Sequence, residues 1–233
     1  MTCGESTGSK VSRIAMNFDL LRHKMVTEQL VRRGIDDVRV LEAMERVPRE
    51  AFVPEPLRHQ AYDDCALPIG WDQTISQPYT VAFMCQEARL RGSDTVLEIG
   101  TGSGYGAAVL AQLVQAVHSV ERIDQLYLAA AERLASLGYD NVRVHYDDGT
   151  LGLVREAPFD AIICTAGAEF LPTAYQDQLV HGGQLVIPIG PPGHQQMYRF
   201  TRSGDQWYGD RLGSFGFVPL VSDEDAEADV PTE

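Results

Sequence analysis

The run Val96-Leu97-Glu98-Ile99-Gly100-Thr101-Gly102-Ser103-Gly104-Tyr105-Gly106 sets an acid two positions ahead of alternating glycines. Glycines in such a run let the backbone turn sharply and come close to a ligand. Gly102, Gly104 and Ala107 also satisfy G-x-G-x-x-A, so a dinucleotide is one reading of the turn. Glu121 ends the next apolar run, where an acid would hold ribose hydroxyls in either case, and Asp148-Gly149 follows the run after that. The loop has no Lys or Arg to meet a pyrophosphate. Three carboxylates, Glu98, Glu121 and Asp148, favour a cationic ligand over a phosphate-bearing one.

A second segment, Thr74-Ile75-Ser76-Gln77-Pro78, reads as a helix start with Ser76 or Gln77 as the cap and Pro78 in the first turn. Free N–H groups and a partial positive charge at such an end suit a carboxylate. No histidine is spaced to activate Ser76 as a nucleophile. Cys3, Cys65, Cys85 and Cys164 are scattered and read as reduced thiols. His118, His145 and His181 have no ligand-like spacing, so no metal is expected. Arg22, His23, Lys24, Arg32 and Arg33 read as a solvated helical face.

These residues need a frame. Helical spacing predicts a helix over Asn17–Arg33 stopped by Gly34, another over Val38–Arg46, and a third from Pro78 to about Leu90. Pro48–Pro78 reads as an ordered loop region. From Asp94 onward strands (Thr95–Ile99, Val117–Val120, Val142–His145, Phe159–Cys164, Gln184–Ile189) alternate with helices (Tyr105–Gln115, Gln125–Leu137, and one near Tyr175–Val180). This is the pattern of a parallel sheet covered on both faces. Gln196–Thr201 and Phe215–Leu220 are expected as antiparallel edge strands. The expectation is therefore an α/β, doubly wound, mostly parallel sheet with an N-terminal helical elaboration.

One domain is expected over 17–220, divided into a helical, substrate-facing segment 17–92 and a cofactor-binding core 93–220. Residues 1–16 are expected to be a flexible start. Residues 221–233 are expected to be a disordered acidic tail carrying Asp223, Glu224, Asp225, Glu227, Asp229 and Glu233. A formal net charge of -14 argues against nucleic-acid partners. No apolar stretch is long enough to span a membrane and no secretory pattern opens the chain, so a cytoplasmic monomer is the default expectation.

Glu98 followed by the glycine run resembles the first motif of class I methyltransferases. More specifically, the chain resembles the protein-L-isoaspartate O-methyltransferase family from about Met25 to Leu220. The resemblance rests on Arg33-Gly34-Ile35, Val47 through Pro54, Thr74 through Pro78, Val96 through Ala111 and Ser119 through Arg122. Phe159 through Ile163, Gly182 through Pro188 and Phe217 through Leu220 carry the rest. It implies S-adenosylmethionine as methyl donor, with Thr74 and Ile75 beside it, and isoaspartyl proteins and peptides as acceptors. The sulfonium and ammonium of this donor suit the acids already noted, so Glu98, Gly100, Thr101, Gly102, Gly104, Glu121, Asp148 and Gly149 are the expected donor site. Ser76 is implied to contact the acceptor carboxylate, as an orienting group. Asp72, Gly106, Asp147 and Gly216 depart from the family pattern. Asp72 and Gly216 leave room for an acceptor that is an ordinary aspartate in a dedicated peptide. A non-catalytic binder of damaged protein and a nicotinamide enzyme are the remaining readings.

Overall fold

The computed structural model describes residues 16–222; Cys3, most of the expected flexible start and the acidic cluster from Asp223 onward lie outside them. The first helix, α1 (Phe18–Lys24), opens where the Asn17 side chain accepts the Leu20 N–H at 3.0 Å. It winds on through a π turn, Met25–Leu30, and a 3-10 turn, Val31–Arg33, to Gly34 at φ 91°. There a left-handed residue releases the chain. α2 (Val38–Arg46) follows, capped by Asp37.

A hairpin comes next, β1 (Leu67–Gly70) and β2 (Gln73–Ile75), and leads into α3 (Pro78–Glu87). The alternating half then runs β3 (Thr95–Ile99), α4 (Tyr105–Ala111), β4 (Ala116–Glu121), α5 (Asp124–Ser136) and β5 (Val142–Tyr146). It finishes with β6 (Phe159–Cys164), β7 (Leu179–Ile189), β8 (Gln195–Ser203) and β9 (Gln206–Phe215).

The main sheet has the order β5-β4-β3-β6-β7-β8-β9. β5, β4, β3, β6 and β7 are parallel, and β8 and β9 return antiparallel at one edge. The chain moves outward from β3 through β4 to β5, then crosses back to lay β6 on the other side of β3. That reversal opens a crevice at the carboxyl ends of β3 and β6, where open α/β sheets bind ligands. Burial on both faces explains the apolar texture of the central strands. Val96 faces a core shared with α4 and the N-terminal helices, while Leu97 and Ile99 face a second core with Phe159 and Tyr175.

Three expectations need correction. The region 48–78 is not all loop: 3-10 turns give way to the β1–β2 hairpin, which turns through Trp71 and Asp72 at φ 51° and 54°. The helix near Tyr175–Val180 is a 3-10 turn, Thr173–Tyr175, and Val180 already belongs to β7. The Tyr175 hydroxyl is drawn to Gly149 O at 2.8 Å, which fixes that short turn. The last strand is Gln206–Phe215, and residues 216–220 form a strap touching the sheet through the bridge of Gly167 with Pro219. The Gln195 side chain occupies both backbone groups of Phe217, so they are unavailable to a neighbouring strand.

Candidate active site

The crevice is a cleft of about 920 Å³. Thr74, Ile75, Glu98, Gly100, Thr101, Gly102, Glu121 and Gly149 line it, together with Ser76. Two expected residues do not. Gly104, at φ 90°, opens α4 with its α-carbon against α5, where a Cβ would come 3.2 Å from Leu134 Cδ1. Its glycine serves helix packing. The Asp148 carboxylate turns back to accept from the Thr150 N–H and hydroxyl at 2.8 and 2.7 Å, capping the turn that positions Gly149. Close approach does govern Gly100: it sits at φ 94°, and a Cβ there would lie 2.4 Å from Thr165 Oγ1.

The acids are built differently from one another. Glu98 is 1% exposed beneath the glycine turn. Ser119 Oγ donates to its Oε2 at 2.5 Å and lies 2.6 Å from Thr101 Oγ1. Burial pushes the Glu98 carboxyl up to about 8, the Ser119 hydrogen bond opposes this, and Glu121 adds to it. Gly106 gives this carboxylate room, since a Cβ there would fall 2.2 Å from Glu98 Oε1. Glu121 instead ties down the loop, accepting from Gly102 N–H at 2.8 Å and from Ile123 N–H at 3.0 Å. The Gly102 amide is thereby already engaged, which removes a donor that a pyrophosphate would need.

Sequence reasoning missed several members of the cleft. Thr165, just past β6, donates its hydroxyl towards Ile99 O and Gly100 O at 2.9 and 2.8 Å. Its strand-end position opposite β3 was the available signal. Val218, Pro219 and Leu220 of the strap, with Val221 just after it, form another wall, and Arg122 lines the cleft beside Glu121.

A second cavity of about 1240 Å³ meets the first at Thr74, Ser76, Thr165 and Val218. Ser76 therefore faces both. Neither Ser76 nor Gln77 caps α3 with its side chain; Gln77 Nε2 donates to Asp64 Oδ1 at 2.7 Å instead. Among the described residues the Ser76 hydroxyl has no hydrogen-bond partner, so it is free for a ligand. Arg33, expected on a solvated face, lines this second cavity. Its guanidinium lies 3.6 Å from the Tyr79 ring centroid and pairs with Asp64 at 3.0 Å. Arg22 is likewise drawn in, to Glu50 at 3.1 Å. Gly216 lines the second cavity, whereas Asp72 lines neither cavity and is exposed at the hairpin turn.

Cys65, Cys85 and Cys164 are free, and burial raises the Cys164 thiol to about 12, which keeps it inert. His118 and His145, 27 residues apart in sequence, are brought to 3.1 Å outside the cleft, with Glu156 beside them.

The sheet order, the cleft at its switch point and the acid beneath the glycine turn place the chain among the Rossmann-like class I methyltransferases. A beta-aspartate methyltransferase (PCMT) from Plasmodium falciparum, solved in complex with S-adenosyl-L-homocysteine, superposes with TM-score 0.75 at 27% identity. The match covers 88% of this chain and 99% of that one. A solved protein-L-isoaspartate O-methyltransferase gives TM-score 0.78 at 28% identity, covering 87% of this chain and 66% of that chain. Residues 21–225 match the family described as protein-L-isoaspartate(D-aspartate) O-methyltransferase (PCMT), and the chain belongs to that family. Protein-L-isoaspartate O-methyltransferase 2 of Pelobacter propionicus is 52% identical over 89% of this chain and 93% of its own. Its namesake in Marinobacter nauticus is 53% identical over 88% and 94%.

Proposed function

We propose that this chain transfers a methyl group from S-adenosylmethionine to the free α-carboxylate of L-isoaspartyl residues in damaged proteins and peptides. The observation that carries the reading is the meeting of two cavities at Ser76, whose hydroxyl has no hydrogen-bond partner among the described residues. The first cavity suits the donor. The Glu121 carboxylate faces a cationic ligand, the buried Glu98 carboxyl beneath it can ionise as the cation binds, and the glycine turn gives close backbone access. Thr74, Ile75, Thr101, Gly100, Gly102 and Gly149 complete its walls. When bound there, S-adenosylmethionine supplies an electrophilic methyl on a sulfonium.

The second cavity takes the acceptor. An α-carboxylate, with pKa about 3.3–3.7, is ionised at neutral pH, so no general base is required of the protein. Ser76 donates one hydrogen bond and aims the carboxylate at the first cavity without quenching its nucleophilicity. Holding the reacting groups in line supplies much of the acceleration. Ile75 and the Val218–Val221 strap keep water from a step in which opposite charges are neutralised. In this reading the following backbone amide nitrogen attacks the methyl ester and expels methanol to give a succinimide, whose hydrolysis restores part of the residue as normal aspartate.

The domain layout follows the two cavities, with residues 17–92 supplying much of the acceptor wall and 93–220 most of the donor site. The setting is the cytoplasm and the working unit a monomer. Among the described residues no helix is long and apolar enough to cross a membrane. Incubation with the donor and an isoaspartyl peptide tests the reading. Base-labile methyl ester followed by succinimide and aspartyl peptide is expected. Donor binding with no ester formed would refute it, and tight binding of NAD in place of the methyl donor would refute the cofactor assignment.

A further inference from the structure

We propose that His118, His145 and Glu156 form a binding site for a divalent transition-metal ion, zinc being the fitting case, that staples the loop carrying Gly149. The strand register brings the histidines together: His118 pairs with Arg143 and Val120 with His145, so the two imidazoles project from the same face of β4 and β5. His118 Nδ1 lies 3.1 Å from His145 Nε2, and Glu156 Oε2 lies 3.9 Å from His118 Nδ1. One ligand atom from each residue falls within 4.8 Å of the others. Tetrahedral ligands at zinc bonds of ~2.0–2.1 Å stand about 3.3 Å apart, so closure asks Glu156 to move in towards the two imidazoles and the nearly parallel rings to turn towards a common point. Two imidazoles, a carboxylate and a water are a donor set that zinc accepts.

The surroundings have both signs of charge. Glu156 and Asp147 are the acids and Arg143 and Arg155 the bases acting on this pair. Arg155 is already held by Asp147 at 2.5 Å, while its second nitrogen reaches His145 Nδ1 at 3.2 Å. That contact places the His145 proton on Nε2, donated to His118 Nδ1. Metal binding moves this proton to Nδ1, with no net proton released, and displaces the Arg155 contact. Asp147 is then the carboxylate suited to accept from Nδ1, an outer partner of the kind ligating histidines use. The edge of the His118 ring packs on Phe159 at 5.8 Å, a dry wall that limits its rotation.

The consequence follows from chain order. Residues 147–155 lie between two of the ligands, and within them Gly149 lines the donor cleft. An ion bridging β4, β5 and the Val154–Glu156 turn would therefore restrain the loop from both ends.

The test uses the full, metal-free chain titrated with zinc against a chromophoric chelator, with cobalt(II) as a spectroscopic substitute. One equivalent is expected to bind, with the tetrahedral cobalt absorption. Affinity should fall at least about tenfold to a hundredfold in both His145→Gln and Glu156→Gln. Zinc should raise the Tm of the unaltered chain and of His59→Ala, and leave the Tm of the two ligand variants unchanged. Imidazole nitrogen shifts in the unaltered chain give a readout that needs no variant: they should move at His118 and His145 among the six histidines. Absence of binding, equal binding by the ligand variants, or shifts confined to other histidines would each overturn the site.

Discussion

Replacing Glu98 by Gln should make the donor-free protein more stable at neutral pH while weakening the methyl-donor site. Glu98 is 1% exposed, and burial lifts its carboxyl from 4.5 to about 8. Between those values the folded chain holds a proton that the unfolded chain has lost. Stability therefore falls as pH rises from 4.5 towards 8 and levels off above it. At pH 7 the cost is about 2.5 pH units at ~1.36 kcal/mol each, or roughly 3 kcal/mol. Gln matches the protonated acid in shape, and its carbonyl can still accept from Ser119 Oγ, so the variant escapes that cost. For a chain of this length, roughly 3 kcal/mol corresponds to a Tm higher by about 6–12 °C. At pH 5 the gap should shrink to under ~1 kcal/mol, because Glu98 is then protonated in the fold and only partly ionised outside it. Thermal denaturation at pH 5 and pH 7 without ligand, and calorimetric titration with S-adenosylmethionine, read both halves. The donor should bind the variant about tenfold more weakly at pH 8, where the native acid is half ionised. A variant less stable than the native protein at pH 7, or a gap independent of pH, would refute the reasoning.

Ser76→Ala should lower kcat/KM for an isoaspartyl peptide by about tenfold to a hundredfold, the worth of a hydrogen bond to a charged group. Its Tm should stay unchanged because the hydroxyl has no hydrogen-bond partner among the described residues; steady-state kinetics and a melting curve check both. Gly106→Ala places a Cβ 2.2 Å from Glu98 Oε1 and should turn that carboxylate out of its place. Donor affinity measured by titration should drop by about fivefold or more, on the order of 1 kcal/mol. Gly100→Ala meets both the φ of 94° and the Thr165 hydroxyl, so denaturant unfolding should show a loss of about 2–3 kcal/mol.

Much of the frame is legible in the sequence because strand and helix periods are local. Thr95–Ile99 and Phe159–Cys164 are read to the residue, since buried parallel strands leave continuous apolar runs. The glycine turn is legible because its φ values demand that residue type. What hides from local reading is set by tertiary contacts. Pro68 and the Trp71-Asp72 turn mask a hairpin in which two of the three consecutive left-handed residues, those after Gly70, are not glycine. The strap at 216–220 is held by the Gln195 side chain, a contact no periodicity announces. Gly104 and Asp148 sit in the expected motifs, and what the sequence does not show is that Gly104 also packs on Leu134 and Asp148 also caps the turn at Gly149. Thr165, Arg122 and Arg33 enter the two cavities through the sheet order and helix docking, and the pairing of His118 with His145 depends on strand register.

The most direct measurement compares methyl transfer from S-adenosylmethionine to two synthetic peptides that differ only in isoaspartate or aspartate at one position. Turnover confined to the isoaspartyl peptide is the predicted result, and it would show that Gly216 and Asp72 leave that preference intact. Equal turnover on both peptides, or turnover on the aspartyl peptide alone, would contradict the account of the acceptor site.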